Sequence, residues 1–310
     1  MNRRRPSRVW RGRVCGALAA AAGAVLLAAG SAPAQAPRHI LLIGDRPSHG
    51  PLQHEHNATV HVFQKWLGAV PGVSATAVFN GWPEDPSLID RADAIFMFCT
   101  GGNRHFAFQE NRAAAIQKAA DRGAGLMFFH YCVEPGAEAG RQEMLRWIGG
   151  YFETHYSVNP IWEAEFTALP EHPITRGVRP FRIRDEWYYN MRFVEGMRGV
   201  TPILSAVPGP DTLTRPDGPH SGNPDVRAKA GQPHPVMWAY ERPDGGRGVG
   251  FTGGHYHMNL EHPDYRTLVL NALLWIARVD VPPRGLVVDT TPEELKERAD
   301  PKPERRRDGV

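Results

Sequence analysis

Short, nearly pure apolar runs recur along the first half of the chain. His39-Ile40-Leu41-Leu42-Ile43-Gly44 is the first, and Val73 to Phe79, Ala94 to Phe98 and Gly125 to Phe129 follow. Runs of this length without polar alternation predict strands buried on both faces, and so a parallel sheet. Between them the period changes. Val60, Phe63 and Leu67 within 57–67, and Ala113, Ile116 and Ala120 within 109–120, recur at spacings of three and four. That spacing predicts helices with one apolar stripe. Strands alternating with helices predict an α/β domain with right-handed crossovers.

The pattern loosens after about residue 150. Shorter strands are expected at 159–166, 181–184, 200–207 and 236–240, joined by Pro/Gly-rich loops. The stretch 208–235 is long and polar and reads as a loop that is either functional or disordered. A last core strand is expected over 247–254. A closing helix over 265–278 carries Leu268, Leu270, Leu273, Leu274 and Trp275. Residues 286–310 form a charged C-terminal segment, and 290–310 in particular reads as a solvated tail.

The N-terminus changes the reading of charge. The first 13 residues hold six arginines and no acid, and an Ala-rich run from Val14 to Gly30 follows. Ala34-Gln35-Ala36 then supplies small residues two apart. This is the pattern of a secretory signal peptide over 1–36, with export to the periplasm or beyond as the expectation. The apolar run is short for a membrane span, so no membrane partner is expected after cleavage. The whole chain of 310 residues carries a formal charge of +3. Losing six arginines leaves 274 residues at −3, with no basic footprint for nucleic acid. Hydrophobic residues at 42% and charged residues at 22% are ordinary globular values, which exclude a disordered or multi-pass membrane chain. Cys99 and Cys132 remain after the leader, both near strand ends. A bridge and two buried thiols are both consistent with the sequence.

Histidine carries the chemical signal. Of fourteen, thirteen lie beyond His39, and several directly follow predicted strands. His49, His54 and His56 follow the first strand, His130 ends the run 125–129, and His255 and His257 follow the last core strand. Ligands of open α/β sheets bind beyond the carboxyl ends of strands. His130 and His255 are therefore expected as base and acid, with Glu186 or Glu134 orienting an imidazole. If the last strand runs through Gly253-Gly254-His255-Tyr256-His257, both imidazoles share one face, half of a metal site. The alternative is thus a divalent metal held by His255, His257 and His130 with Glu186. Asp185-Glu186-Trp187-Tyr188-Tyr189 offers carboxylates beside an aromatic wall. Asp185, Trp187, Tyr188 and Tyr256 are expected to contact a sugar, with His49 and His220 reaching in from loops. His54-Glu55-His56 is not H-E-x-x-H, so no zincin is implied. It reads as a polar loop over the site, with Glu55 capping the next helix. A Cys132 nucleophile sits two residues late for a strand-to-helix elbow.

Taken together, Pro47-Ser48-His49-Gly50, Gly125 to His130, His172-Pro173-Ile174-Thr175-Arg176-Gly177, Asp185 to Tyr189, and Gly246-Arg247-Gly248 through Gly253-Gly254-His255 resemble the ThuA-like (trehalose utilisation) family. The resemblance spans roughly 39–285, assigned to one domain over 37–285, and is nearest the exported planctomycete-type subgroup. It implies a class I glutamine amidotransferase-like fold, a flavodoxin-like three-layer sandwich with a mostly parallel sheet. It also implies that His130 stands at the amidotransferase nucleophile position, so glutamine hydrolysis is not expected. His255 falls near where the amidotransferase histidine would lie. The implied biology is catabolism of a glycoside, disaccharide or keto-sugar, with a sugar oxidoreductase as pathway partner. The rival from another class is a non-catalytic carbohydrate-binding module, which would not need several imidazoles at one sheet edge.

Overall fold

A computed structural model describes residues 37–136 and 138–302 of the chain. The expected signal peptide at 1–36 and the residues beyond 302 lie outside that range.

The apolar runs do form strands. β1 is Arg38–Gly44, β2 Val73–Val78, β3 Ala94–Phe98 and β4 Gly125–Phe129. Every residue of β3 and β4 is buried, as full two-sided coverage requires. The helices between them are α1 (His56–Gly68), α2 (Ser87–Arg91) and α3 (Arg112–Asp121), and α4 (Glu138–Ile148) follows β4. The second half contributes β5 (Gly150–Tyr151), β6 (Trp162–Phe166), β7 (Phe181–Asp185), β8 (Arg192–Phe193), β9 (Val200–Ala206), α5 (Pro224–Ala228), β10 (His234–Glu241), β11 (Arg247–Phe251), α6 (Pro263–Ile276) and α7 (Pro292–Leu295).

Seven strands form one sheet in the order β2-β1-β3-β4-β11-β10-β9. β2, β1, β3, β4 and β11 run parallel, and β10 is antiparallel to both β11 and β9. Apolar clusters cover both faces: α1 and α6 pack on one and α3 and α4 on the other. This is a three-layer α/β sandwich. The order reverses at β1, whose neighbours are β2 and β3, so the loops after β1 and β3 diverge there and leave a crevice. β6 and β7 pair apart from the main sheet, as do β5 and β8. Among the described residues no helix is long and apolar enough to cross a membrane.

Three expectations change. The last core strand stops at Phe251 rather than continuing to Gly254. Gly254 adopts a φ of 114°, and a Cβ there would meet the Phe129 ring at 2.2 Å, so the chain turns off the sheet at this point. The loop 208–235 is not structureless, since it contains α5 and the start of β10. The C-terminal segment, as far as residue 302, is not a solvated tail. Leu295 is fully buried, and the Lys302 ammonium is buried against the Glu55 carboxylate at 3.0 Å. The few apolar and charged groups of this segment find partners on α1 and the loop before it, which a charge count cannot reveal.

Candidate functional site

Four side chains from four separate strand ends meet at one point. His54 lies in the loop after β1, His130 directly follows β4, Glu186 directly follows β7, and His255 lies past the end of β11. Their donor atoms all lie within 4.8 Å of one another. His54 Nε2 is 3.1 Å from His130 Nε2 and 3.0 Å from His255 Nδ1. Glu186 Oε2 is 3.1 Å from His255 Nδ1 and 3.4 Å from His130 Nε2. Donor atoms bound 2.0–2.1 Å from a tetrahedral ion stand about 3.3 Å apart, and these four contacts are close to that edge length.

A backbone carbonyl sets the tautomer of His130. Its Nδ1 donates to the Thr252 carbonyl at 2.7 Å, because a carbonyl only accepts. In the neutral ring Nε2 is then a bare lone pair. That lone pair faces the Glu186 carboxylate. Two acceptors at such a distance repel unless a proton or a cation stands between them. The Tyr188 hydroxyl is 3.4 Å from both atoms, but its single proton satisfies only one. Burial pushes the Tyr188 phenol well above its ordinary value, so it keeps that proton. Burial alone would raise the Glu186 carboxyl, but wherever His130 or His255 carries the intervening proton its hydrogen bond to Glu186 outweighs burial and holds the carboxyl at about 2. Burial and the surrounding imidazoles keep His54 well below its ordinary value, hence neutral and able to donate a lone pair.

The backbone at this point is strained. His49, His54 and His130 all have positive φ, at 61°, 46° and 55°. Such conformations are uncommon for side chains bearing a Cβ and concentrate at functional sites. His49 is exposed and stacks on His54 with ring centroids 3.5 Å apart, forming the outer wall. His130 is fully buried, and His54 and His255 nearly so. A cavity of about 240 Å³ opens beside Glu186, bounded also by Asn159, Asp211 and Arg215. At about 30 Å³ per water molecule it has room for about eight waters, the scale of one sugar ring. Asn159 donates to Glu186 Oε1 at 3.1 Å, and Arg215 donates to Asn159. The long loop after β9 thus covers the cluster. A larger cleft, about 800 Å³, lies over the ends of β1, β2 and β3, but none of the four cluster residues lines it.

Several residues named from sequence have other duties. His257 does not join the cluster. Because the strand ends early, its ring turns away, with Nδ1 3.0 Å from Thr59 Oγ1 and Nε2 donating to the Leu295 carbonyl at 2.7 Å. Both nitrogens are spent on structure. Trp187 is fully buried among Phe166, Phe251 and Tyr265, so it is core and no sugar platform. Asp185 is also fully buried. Its carboxylate accepts the backbone N–H groups of Gly254, His255 and Tyr256, which clamps the turn instead of touching a ligand. Tyr188 belongs to the cluster wall, and Tyr256 flanks His255 edge-on at 4.8 Å. Glu134 lies outside the four and is held by His220 Nε2 at 2.9 Å, with His220 stacked on Phe152. Glu55 does not cap α1 with its side chain. It accepts the N–H of Leu52 and of Asp300 and pairs with Lys302.

His54 is the cluster member that sequence reasoning left in a polar loop. The available signal was its place after the first strand, the same address as His130 and His255. His56, two residues on, donates Nδ1 to the Arg46 carbonyl, and burial lowers it to about 3.

Comparison with known proteins agrees with this architecture. A crystal structure of a protein from Bacteroides uniformis described as ThuA-like aligns with a TM-score of 0.53 at 17% identity, covering 80% of this chain and 94% of that one. One from Parabacteroides merdae, described likewise, aligns at 0.50 and 14% identity, covering 83% and 94%. At these identities the likeness concerns the fold. No curated protein matches the sequence. The family model described as trehalose utilisation, ThuA, matches residues 47–276, a span that contains all four cluster residues. The chain therefore belongs to the ThuA family, whose description places it in carbohydrate metabolism.

Proposed function

We propose that the chain is a carbohydrate-processing enzyme whose reacting centre is His54, His130, His255 and Glu186, and that these four side chains hold a divalent cation of the zinc class. The observation that carries the reading is the facing pair of acceptors, the His130 lone pair and the Glu186 carboxylate at 3.4 Å, joined by the His54 and His255 nitrogens at 3.0–3.1 Å from their neighbours in the cluster. His130 has the support expected of a metal-ligating imidazole, since its other nitrogen donates to a backbone carbonyl. A bound cation would polarise a carbonyl or acidify a water in the cavity beside Glu186. A glycoside or keto-sugar is the substrate class that the family description favours, and the small polar cavity suits one ring of it.

The same four side chains also support acid–base chemistry without a metal. The His255–Glu186 contact at 3.1 Å is the observation that favours this second reading, because a carboxylate at that distance orients an imidazole for proton transfer. We further propose export, on the strength of the arginine-rich leader and the Ala-rich run behind it, and a sugar oxidoreductase as the source or sink of the substrate.

Elemental mass spectrometry of protein purified without chelator tests the leading reading. Near one equivalent of zinc, manganese or iron is expected, lost in His54→Ala and in His255→Ala. A metal-free protein that turns over a glycoside or keto-sugar panel, and loses that turnover in His255→Ala, would favour acid–base chemistry. Sugar binding with no turnover and no metal would make the chain a binding module.

A further inference from the structure

A second cluster lies behind the site and has no part in the chemistry above. Cys99 follows β3 directly, and Cys132 sits in the 3₁₀ turn after β4, two residues past His130. The two strands are neighbours in register, Phe98 against Phe129. Both thiols are fully buried, and their sulfurs are 3.1 Å apart. His105 is the third member, with Nε2 3.5 Å from Cys132 Sγ.

Two cysteines and a histidine suggest a metal site at first sight. Hydrogen bonding argues against it. The Ala107 N–H donates to His105 Nδ1 at 3.2 Å, so Nδ1 is the acceptor. Nε2 then carries the proton and donates to the Cys132 carbonyl at 2.9 Å. The ring has no lone pair to turn toward the sulfurs. What remains is a pair of buried thiols in sulfur–sulfur contact.

We propose that Cys99 and Cys132 form a disulfide in the folded protein, tying the end of β3 to the turn that carries His130. A bonded pair needs 2.03–2.05 Å, so the sulfurs have only about 1 Å to close. The reaction needs a disulfide oxidant of the glutathione class. One cysteine thiolate attacks the oxidant, forming a mixed disulfide and releasing one thiol. The second cysteine thiolate then displaces the other thiol and closes the Cys99–Cys132 bond. Two protons and two electrons leave the protein, and one oxidant disulfide becomes two thiols. Burial pushes the Cys99 thiol well above its ordinary value, so the finished fold shields an unreacted pair. The bond therefore forms during folding, before the pocket closes. It joins positions 33 residues apart, and its stabilisation comes mainly from restricting the unfolded chain.

The test is to unfold and reduce the full chain, refold it in a glutathione redox buffer, alkylate under denaturing conditions and map the peptides. A cross-linked pair of peptides bearing Cys99 and Cys132 is expected. Its Tm should fall by about 5–10 °C on reduction. The Cys99→Ala/Cys132→Ala double variant should show no response to reductant. Cooperatively folded protein in which both cysteines are alkylated would overturn the proposal, as would an unlinked wild type whose Tm ignores reductant.

Discussion

The Asp185 carboxylate holds the backbone N–H of His255 at 3.1 Å, with that of Gly254 on one side at 2.8 Å and that of Tyr256 on the other at 3.3 Å. One buried carboxylate thereby fixes the turn that delivers His255 to the cluster. Its neighbour in sequence, Glu186, enters the cluster itself. Two adjacent acids thus divide the work, one shaping the backbone and one facing the cavity.

Asp185→Asn keeps the volume but loses the charge that these N–H groups point at. Hydrogen bonds to a charged group contribute about 1.5–3 kcal/mol each, and part of that survives with an amide. The variant should lose about 2–4 kcal/mol of stability by denaturant titration. It should also bind zinc about 10- to 100-fold more weakly, as loss of a supporting partner does elsewhere. Unchanged zinc affinity in a destabilised variant would limit Asp185 to a packing role.

His257 and His255 separate cleanly by mutation. His257→Ala should leave metal content intact while costing about 2–3 kcal/mol, because it removes buried hydrogen bonds to Thr59 and the Leu295 carbonyl. His255→Ala should do the reverse, abolishing metal with a smaller effect on stability. Paired measurements of metal stoichiometry and urea midpoint check both.

Trp187→Ala should behave as a core deletion. The side chain is fully buried, so a loss of about 3–5 kcal/mol is expected. A stable variant with weakened sugar affinity would return Trp187 to the role of a stacking platform.

Lys302 joins the C-terminal segment to the loop that carries His54. Its ammonium pairs with Glu55 at 3.0 Å and donates to the carbonyls of Gln53 and His54. Lys302→Ala strands a buried carboxylate, which costs about 3–5 kcal/mol. The Glu55→Gln/Lys302→Met pair should recover part of that loss. Denaturation curves of the two variants decide whether the buried pair or merely the chain length matters.

Acid should destabilise the fold through two histidines outside the cluster. Burial lowers His172 and His234 from 6.5 to about 4 each. Both are neutral in the folded state at neutral pH, and the unfolded chain binds their protons more readily. The stability they protect is therefore present above pH 6.5 and is lost as the pH falls toward 4. An uptake of two protons on unfolding near pH 5 is expected from these two groups. His172→Gln/His234→Gln should lower the slope of unfolding free energy against pH in that interval by about two protons.

The alternation of apolar runs and helical stripes specified the parallel core, because two-sided burial removes polar residues from a strand and leaves a local record. β1 to β4, α1 and α3 were legible for that reason, and so was the rule that chemistry gathers at strand ends, which brought His130 and His255 forward. Their spacing and partners were not local. Whether His255 or His257 faces the site depended on where β11 stops, and that is decided by Gly254 meeting the Phe129 ring and by Asp185, 70 residues away, holding the turn. His54 reached the cluster from the loop after β1, 76 residues from His130 and 201 from His255. The C-terminal segment looked soluble by charge, yet Leu295 and Lys302 are buried because α1 and the His54 loop offer them partners. A one-dimensional pattern records how each segment meets its own layer. Which side chains from different layers converge is set by packing and by paired buried charges, which exist only once the chain has closed.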